Sequence, residues 1–199
     1  MLLLDFTLNV CCIAIFSKCF FNCSKIEEIT SVVGIAKGTL YYHFKSKEEI
    51  LDALIDRIIQ GMVSNIRLAL SDKSTALQKL ISFVGAMKVD SAIGKEITDY
   101  AHKPQNALMH QKIQNSLLAV LTPIAAEIIK EGIKEGIVST NYPEEAAEML
   151  LIYSSVVFDD MNEMTPIEWK RKAEGFVFNM ERLLGIKQGS ISDIIKYIN

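Results

Sequence analysis

The sequence predicts an all-α protein, with a small N-terminal three-helix module (residues 1–47) ahead of a larger helical domain (residues 48–199). Apolar residues recur at the 3.6-residue spacing of amphipathic helices along nearly the whole chain. Helix-start signals punctuate it: Ser24-x-x-Glu27, Ser46-x-x-Glu49 and Thr165-x-x-Glu168 each read as a capping box, a hydroxyl followed three residues later by a glutamate. Only four prolines and ten glycines are spread over 199 residues, which leaves room for long helices.

The first helix is expected from about Leu3 to Lys18, with Leu8, Cys12, Ile15 and Phe16 on one face. The capping box at Ser24 opens a short second helix that turns Ile26, Ile29 and Val33 inward and ends at Gly34, the residue suited to a left-handed cap. Ile35 and Ala36 complete a tight turn, and a third short helix, Lys37 to Phe44, buries Leu40 and Phe44. The box at Ser46 then starts a long helix reaching about Leu70, with Ile50, Leu51, Leu54, Ile55, Ile58 and Ile59 as its stripe. Further helices are expected over residues 76–88, 91–100, 107–135, 143–161 and 166–184, with a short one in the tail. Pro123 should break or kink the third of these, whereas Pro143 and Pro166 stand at helix starts, where a missing N–H costs nothing.

Composition excludes several classes. Half of the residues are hydrophobic and 23% charged, so the chain buries a core and is not disordered. The net charge of −3 gives no global positive field for nucleic acid. Up to Gln60, six basic residues face seven acidic ones, yet Thr30–Lys47 holds three lysines and no acid, a short local positive stripe. Cys11, Cys12, Cys19 and Cys23 match no strong zinc spacing and read as small apolar residues of a reduced cytoplasmic protein, with a redox or metal sensor as the alternative. Residues 1–23 are strongly apolar, but Asp5, Asn9 and Lys18 interrupt the run and no basic residue precedes Asp5. No Gly-rich phosphate loop or Ser-His-Asp ordering stands out, and His43, His102 and His110 have no evident partners, so no enzyme, cofactor or metal is expected. His110 follows His102 at an interval of eight, two turns along a helix and too far for one ion.

Two short helices joined by a glycine-bearing turn make a helix-turn-helix, whose second helix enters the major groove while the first braces it. Over fifteen consecutive positions, Gly34-Ile35-Ala36-Lys37-Gly38-Thr39-Leu40-Tyr41-Tyr42-His43-Phe44-Lys45-Ser46-Lys47-Glu48 resembles the signature of the TetR family of transcriptional regulators. The resemblance implies operator DNA as partner, with Lys37, Gly38, Thr39, Tyr41, Tyr42, His43 and Lys47 at the interface. The chemistry suits those positions. Gly38 lets the backbone approach DNA, and Thr39 reaches a phosphate or base edge. Tyr41, Tyr42 and His43 offer donors that position the helix. Lys47 stands at a helix N-terminus, where ammonium and helix dipole both favour a phosphate, and Lys37 adds sequence-independent attraction. Lys25 is a further contact or an ordinary solvated lysine; for Tyr41 the alternative is half-buried support, and for His43 a helix cap. The chain departs from the family pattern at Asn9, Cys19 and Thr30 and has no basic N-terminal arm, which implies weaker phosphate anchoring there.

For residues 48–199 the resemblance implies a ligand-binding and dimerisation domain, a homodimer through helices 143–161 and 166–184, and a repressor released by a small-molecule effector. Ala146, Ala147, Leu150, Leu151, Ser154, Ser155 and Val157 on the first helix suit close packing against a partner, as do Trp169, Phe176, Val177, Met180 and Leu183 on the second. A monomer burying the same stripes is the alternative. Phe83, Met87, Tyr100, His102, Met109 and His110 are the candidate ligand contacts, and their largely apolar character points to a lipophilic effector. A different class of reading is a helical sensor anchored in a membrane by its apolar N-terminal segment.

Overall fold

The computed structural model describes residues 31, 36, 38, 41, 42, 44–73, 75–87, 101–103, 106–159 and 164–197. The expected first helix, the Ser24 capping box, the turn at Gly34 and the helix expected over 91–100 lie outside the described residues. Among the described residues the structure is all-helical and has no strand. The elements are α1 (Lys47–Ser71), α2 (Ala76–Ala86), α3 (Ala107–Lys134), α4 (Pro143–Val157), α5 (Pro166–Leu184) and a final 3-10 helix (Ser192–Tyr197).

The chain divides into two compact units. One comprises Met1–Ile58 and Val89–Ile113, the other Ile59–Lys88 and Gln114–Asn199. In the first, Ala101 and the α1 residues Ile50 and Ile55 are buried, and Lys112 pairs with Asp52. The second holds the last part of α1, α2, α3 from Gln114 onward, α4, α5 and the 3-10 helix. Its core is Leu80 and Phe83 of α2, Leu121, Ala125, Ile128 and Ile129 of α3, Ala146, Ala147 and Leu151 of α4, and Phe176, Val177, Met180 and Leu184 of α5. Small residues at Ala125, Ala146, Ala147 and Ala173, all buried, permit close approach of helices within this unit.

Each boundary has a local cause. Thr165 caps α5 by accepting from the Glu168 N–H at 3.3 Å, while the Glu168 carboxylate takes the Thr165 N–H at 3.1 Å. Gly185 (φ 64°) ends the same helix in a left-handed cap, with Ile186 N–H bonded to the Glu181 carbonyl at 2.8 Å. At the start of α1 the expected box is shifted by one residue. Ser46 Oγ accepts from the Glu49 N–H at 3.2 Å, but the Glu49 carboxylate accepts from the N–H of Lys45, at 2.6 Å, rather than from that of Ser46. The long carboxylate arm takes whichever orphan N–H the entering chain presents.

Pro123 does not break α3, which runs unbroken from Ala107 to Lys134. Pro123 and Ala119, whose carbonyl lacks its usual donor, both lie on exposed positions, where solvent can replace the missing donor. Helix α4 ends at Val157, short of the expected 161, with the Phe158 N–H bonded to the Ser154 carbonyl. The two faces expected to meet a partner also differ from the expectation. Ala146, Ala147, Leu151, Phe176, Val177 and Met180 are buried inside the protomer. The apolar positions left in solvent are Met149, Ile152, Tyr153 and Val156 on α4 and Ile167 and Phe178 on α5. Periodicity reveals that a helix has an apolar stripe, but not which of its neighbours covers it.

Candidate nucleic-acid interface and ligand cavity

Of the residues expected at DNA, Gly38, Tyr41 and Tyr42 are described, and all three are helical and exposed. Their i, i+3, i+4 spacing puts them on one side of the helix. Tyr42 is 85% exposed, far more than an aromatic side chain held for packing. A Cβ added at Gly38 would meet nothing within 4 Å, so the backbone there is open to an approaching surface. Phe44, expected in the core, is half-buried. The backbone of Lys47 begins α1. Lys25, Lys37, Thr39, His43 and the side chain of Lys47 lie outside the described residues.

The second unit contains a cavity of about 210 Å³. Helix α2 supplies Leu80, Phe83, Val84 and Met87 to its wall, and α3 supplies Ala125 and Ile129. From α4 come Ala147, Leu150, Leu151 and Ser154, followed by Phe158; from α5 come Phe176 and Met180. Phe176 holds the aromatic wall together, edge-on to Phe158 at 5.6 Å and stacked on Tyr153 at 5.5 Å. Tyr197 of the 3-10 helix completes the lining, its ring 3.0 Å from where a Cβ on Gly85 would stand. Buried Glu181 ties down the approach to that segment by accepting the N–H groups of Gly189 (2.9 Å) and Ile191 (3.1 Å).

Among the described residues no charged side chain lines the cavity. The Ser154 hydroxyl donates to the Leu151 carbonyl at 2.9 Å, which leaves its oxygen as an acceptor. Such a space holds a lipophilic body with few polar groups and disfavours an ion, whose desolvation nothing here repays.

Phe83 and Met87, expected as ligand contacts, both line the cavity. His102, Met109 and His110 do not; they belong to the other unit, and Tyr100 lies outside the described residues. The lining from α4 and α5 escaped the sequence reading because its residues were assigned to a partner-facing stripe. The available signal was the mixture of small and aromatic residues, Ala147 and Ser154 with Phe158 and Phe176, which packs loosely when turned inward.

The two histidines depart from the expected geometry. Lys103 is in a bend, its carbonyl accepting the Asn106 N–H at 2.8 Å, and α3 starts only at Ala107. His102 is therefore not two turns below His110 on one helix, and the ring centroids lie 4.9 Å apart. The signal was Pro104, because a proline disfavours helical backbone at the residue before it.

No helix among the described residues is long and apolar enough to cross a membrane. The apolar segment 1–23 lies outside them.

Comparison with known proteins matches two parts of the chain. A family model described as bacterial regulatory proteins, tetR family, covers residues 21–54, and one described as tetracyclin repressor-like, C-terminal domain, covers residues 89–176. The fatty acid metabolism regulator protein of Bacillus subtilis is 28% identical over 121 residues, which are 58% of this chain and 61% of that protein. An HTH-type transcriptional regulator of the same organism is 22% identical over 161 residues, 77% of this chain and 82% of that protein. Among solved structures, a transcriptional regulator from Cytophaga hutchinsonii superposes with a TM-score of 0.52 at 20% identity, over 94% of this chain and 90% of that one. A tetR-family regulator from Shewanella sp. PV-4 gives 0.55 at 18% identity, over 90% and 95%. These structural likenesses bear on the fold alone. With family models matched at both its DNA-reading end and its C-terminal region, on an all-helical frame, the chain belongs to the TetR family of transcriptional regulators, which are DNA-binding transcription factors and not enzymes.

Proposed function

We propose that this regulator is a cytoplasmic repressor that binds a palindromic operator as a homodimer and is released from it by a lipophilic effector. The observation that carries the effector class is the cavity, about 210 Å³ in volume and, among the described residues, lined without a charged side chain. The similarity to a regulator of fatty acid metabolism supports an aliphatic molecule as its occupant. In this reading residues 1–47 dock the helix bearing Gly38, Tyr41 and Tyr42 in the major groove, and Lys25, Lys37, Thr39, His43 and Lys47 add backbone contacts. Residues 48–199 bind ligand and partner. The second copy covers the exposed apolar positions of α4 and α5, and two-fold symmetry of the protein matches that of the operator. Effector binding favours a state of lower operator affinity, with a coupling of about 1–3 kcal/mol, typical of such linkage.

Mobility-shift titration of the full chain against palindromic DNA from its own upstream region tests the reading. Affinity should fall steeply as salt rises, because phosphate contacts release counterions. Nile red, a neutral apolar dye, should bind the wild-type chain and lose affinity in Leu150→Trp, which fills the cavity. Absence of DNA binding even at low salt defeats the operator reading; unchanged dye binding in Leu150→Trp defeats the cavity as ligand site.

A further inference from the structure

We propose that His102 and His110 form a two-histidine site for a borderline divalent transition ion, of the class of Zn²⁺, Co²⁺ or Cu²⁺. The proposal is independent of the cavity and of DNA binding.

Both residues belong to the same compact unit, and both are half-buried. Their ring centroids are 4.9 Å apart with planes inclined at 50°, so the rings are turned towards each other and not stacked flat. One ring nitrogen of each lies within 4.8 Å of one of the other. Two imidazoles on one tetrahedral zinc, each at about 2.1 Å, hold their nitrogens about 3.4 Å apart. The remaining gap of about 1.4 Å is of the size that side-chain torsions span.

The two ligands come from separate elements, one from the turn at 101–103 and one from the first turns of α3. The bond from the Asn106 N–H to the Lys103 carbonyl fixes the chain reversal between them. The backbone therefore presents the pair before any ion arrives, which lowers the ordering cost of binding. Imidazole nitrogens select zinc, cobalt or copper over magnesium and calcium, which prefer oxygen. Both rings are partly exposed, so an ion held here is reachable from solvent and exchangeable, unlike one in a closed structural zinc site. An ion held here ties the 101–103 turn to α3 and stabilises the folded chain by mass action.

Cysteine thiolates are also ligands for these ions, and the chain has four cysteines, so the experiment must identify imidazole. Zinc chloride is titrated into the full chain while long-range ¹H–¹⁵N spectra follow the histidine rings, of which there are three. The expected result is that two histidine rings shift together and saturate at one ion per chain, while the third, His43, stays put. Calorimetry on His102→Asn and His110→Asn, each verified as folded by circular dichroism, supplies the second arm. Outer-shell partners of a metal-bound histidine are worth about 10–100-fold in affinity, so loss of a ligand is expected to cost at least about tenfold. Lys103→Gln should bind zinc as the wild type does. Unmoved histidine resonances at saturating zinc, or wild-type zinc affinity in both asparagine variants, overturns the proposal and leaves the pair as a ring contact only.

Discussion

Two glycines show how one missing side chain serves opposite ends. At Gly38 a methyl group would touch nothing within 4 Å, so the position costs the free protein little to change. Gly38→Ala should keep or slightly raise thermal stability, since alanine is the better helix former by about 1 kcal/mol, yet weaken operator binding in a mobility-shift titration. Tyr42→Ala, at a side chain 85% exposed, should behave the same way. If either variant binds DNA as tightly as wild type, the exposed face is not the contact surface. Gly132 is the reverse case. It is buried in α3, and an added Cβ would stand 2.5 Å from Val138 Cγ2. Its carbonyl also receives the N–H groups of Ile137 and Val138, which holds that loop against the helix. Gly132→Ala should therefore destabilise, against the helix-propensity trend, by about 1–3 kcal/mol as an overpacked core site does. Denaturant unfolding measures it, and a gain in stability would show that the loop yields. Nothing in the local sequence separates these glycines, since both sit in helical segments and only the neighbours differ.

At the scale of the element, capping and charge decide where helices end and how they join. Thr165 and Glu168 satisfy each other's backbone N–H groups at the start of α5. The bond to Thr165 holds the Glu168 carboxyl below its ordinary value of 4.5. Thr165→Ala should cost about 1 kcal/mol by denaturant unfolding, the usual loss for such a cap. Between α3 and α4, Lys130 bonds Glu144 at 2.8 Å. Hydrogen bonding to Glu144, with Glu127 second, raises the Lys130 pKa above 10.5, and the bond to Lys130 lowers that of Glu144 below 4.5. The Glu144 contribution is thus complete above pH 4.5 and vanishes as pH falls through its lowered folded value. The Lys130 contribution is complete below 10.5 and vanishes as pH rises through its raised one. The stability difference between wild type and Lys130→Met should accordingly be small, present at neutral pH and absent in acid below the Glu144 titration. A difference that persists there would assign it to packing of the lysine stem. Elements of this kind were legible in sequence where a cap is local, as at Thr165 and Pro166. They were not where a distant group intervenes, as when Glu135 takes the Ala76 N–H at the start of α2.

For the molecule as a whole, the decisive feature is which apolar surface remains uncovered. Met149 and Val156 of α4 are 59% and 67% exposed, and Ile167 of α5 is 82% exposed. Sedimentation should find the wild-type chain dimeric, and Val156→Glu should shift it to monomer with helicity unchanged, since a charge at the centre of a dimer face has no partner to repay its desolvation. Weakened operator binding should accompany the monomer, because a single DNA-reading head then engages a single half-site. A Val156→Glu protein that stays dimeric would place the interface elsewhere.

The sequence by itself determined the helical class, most of the described helix starts, the capping box at Thr165 and the fifteen-residue signature of the family, because each depends on residues within one or two turns of each other. Phe83 and Met87 as cavity contacts were legible for the same reason, as members of one apolar helix face. Only tertiary structure decided that Ala147, Leu150 and Ser154 look into a cavity rather than at a partner, that Pro123 leaves α3 continuous, and that His102 stands beside His110. Those outcomes depend on which surfaces meet across long stretches of chain, and apolar periodicity is the same whether a stripe is covered by its own protomer, by a ligand or by a second copy.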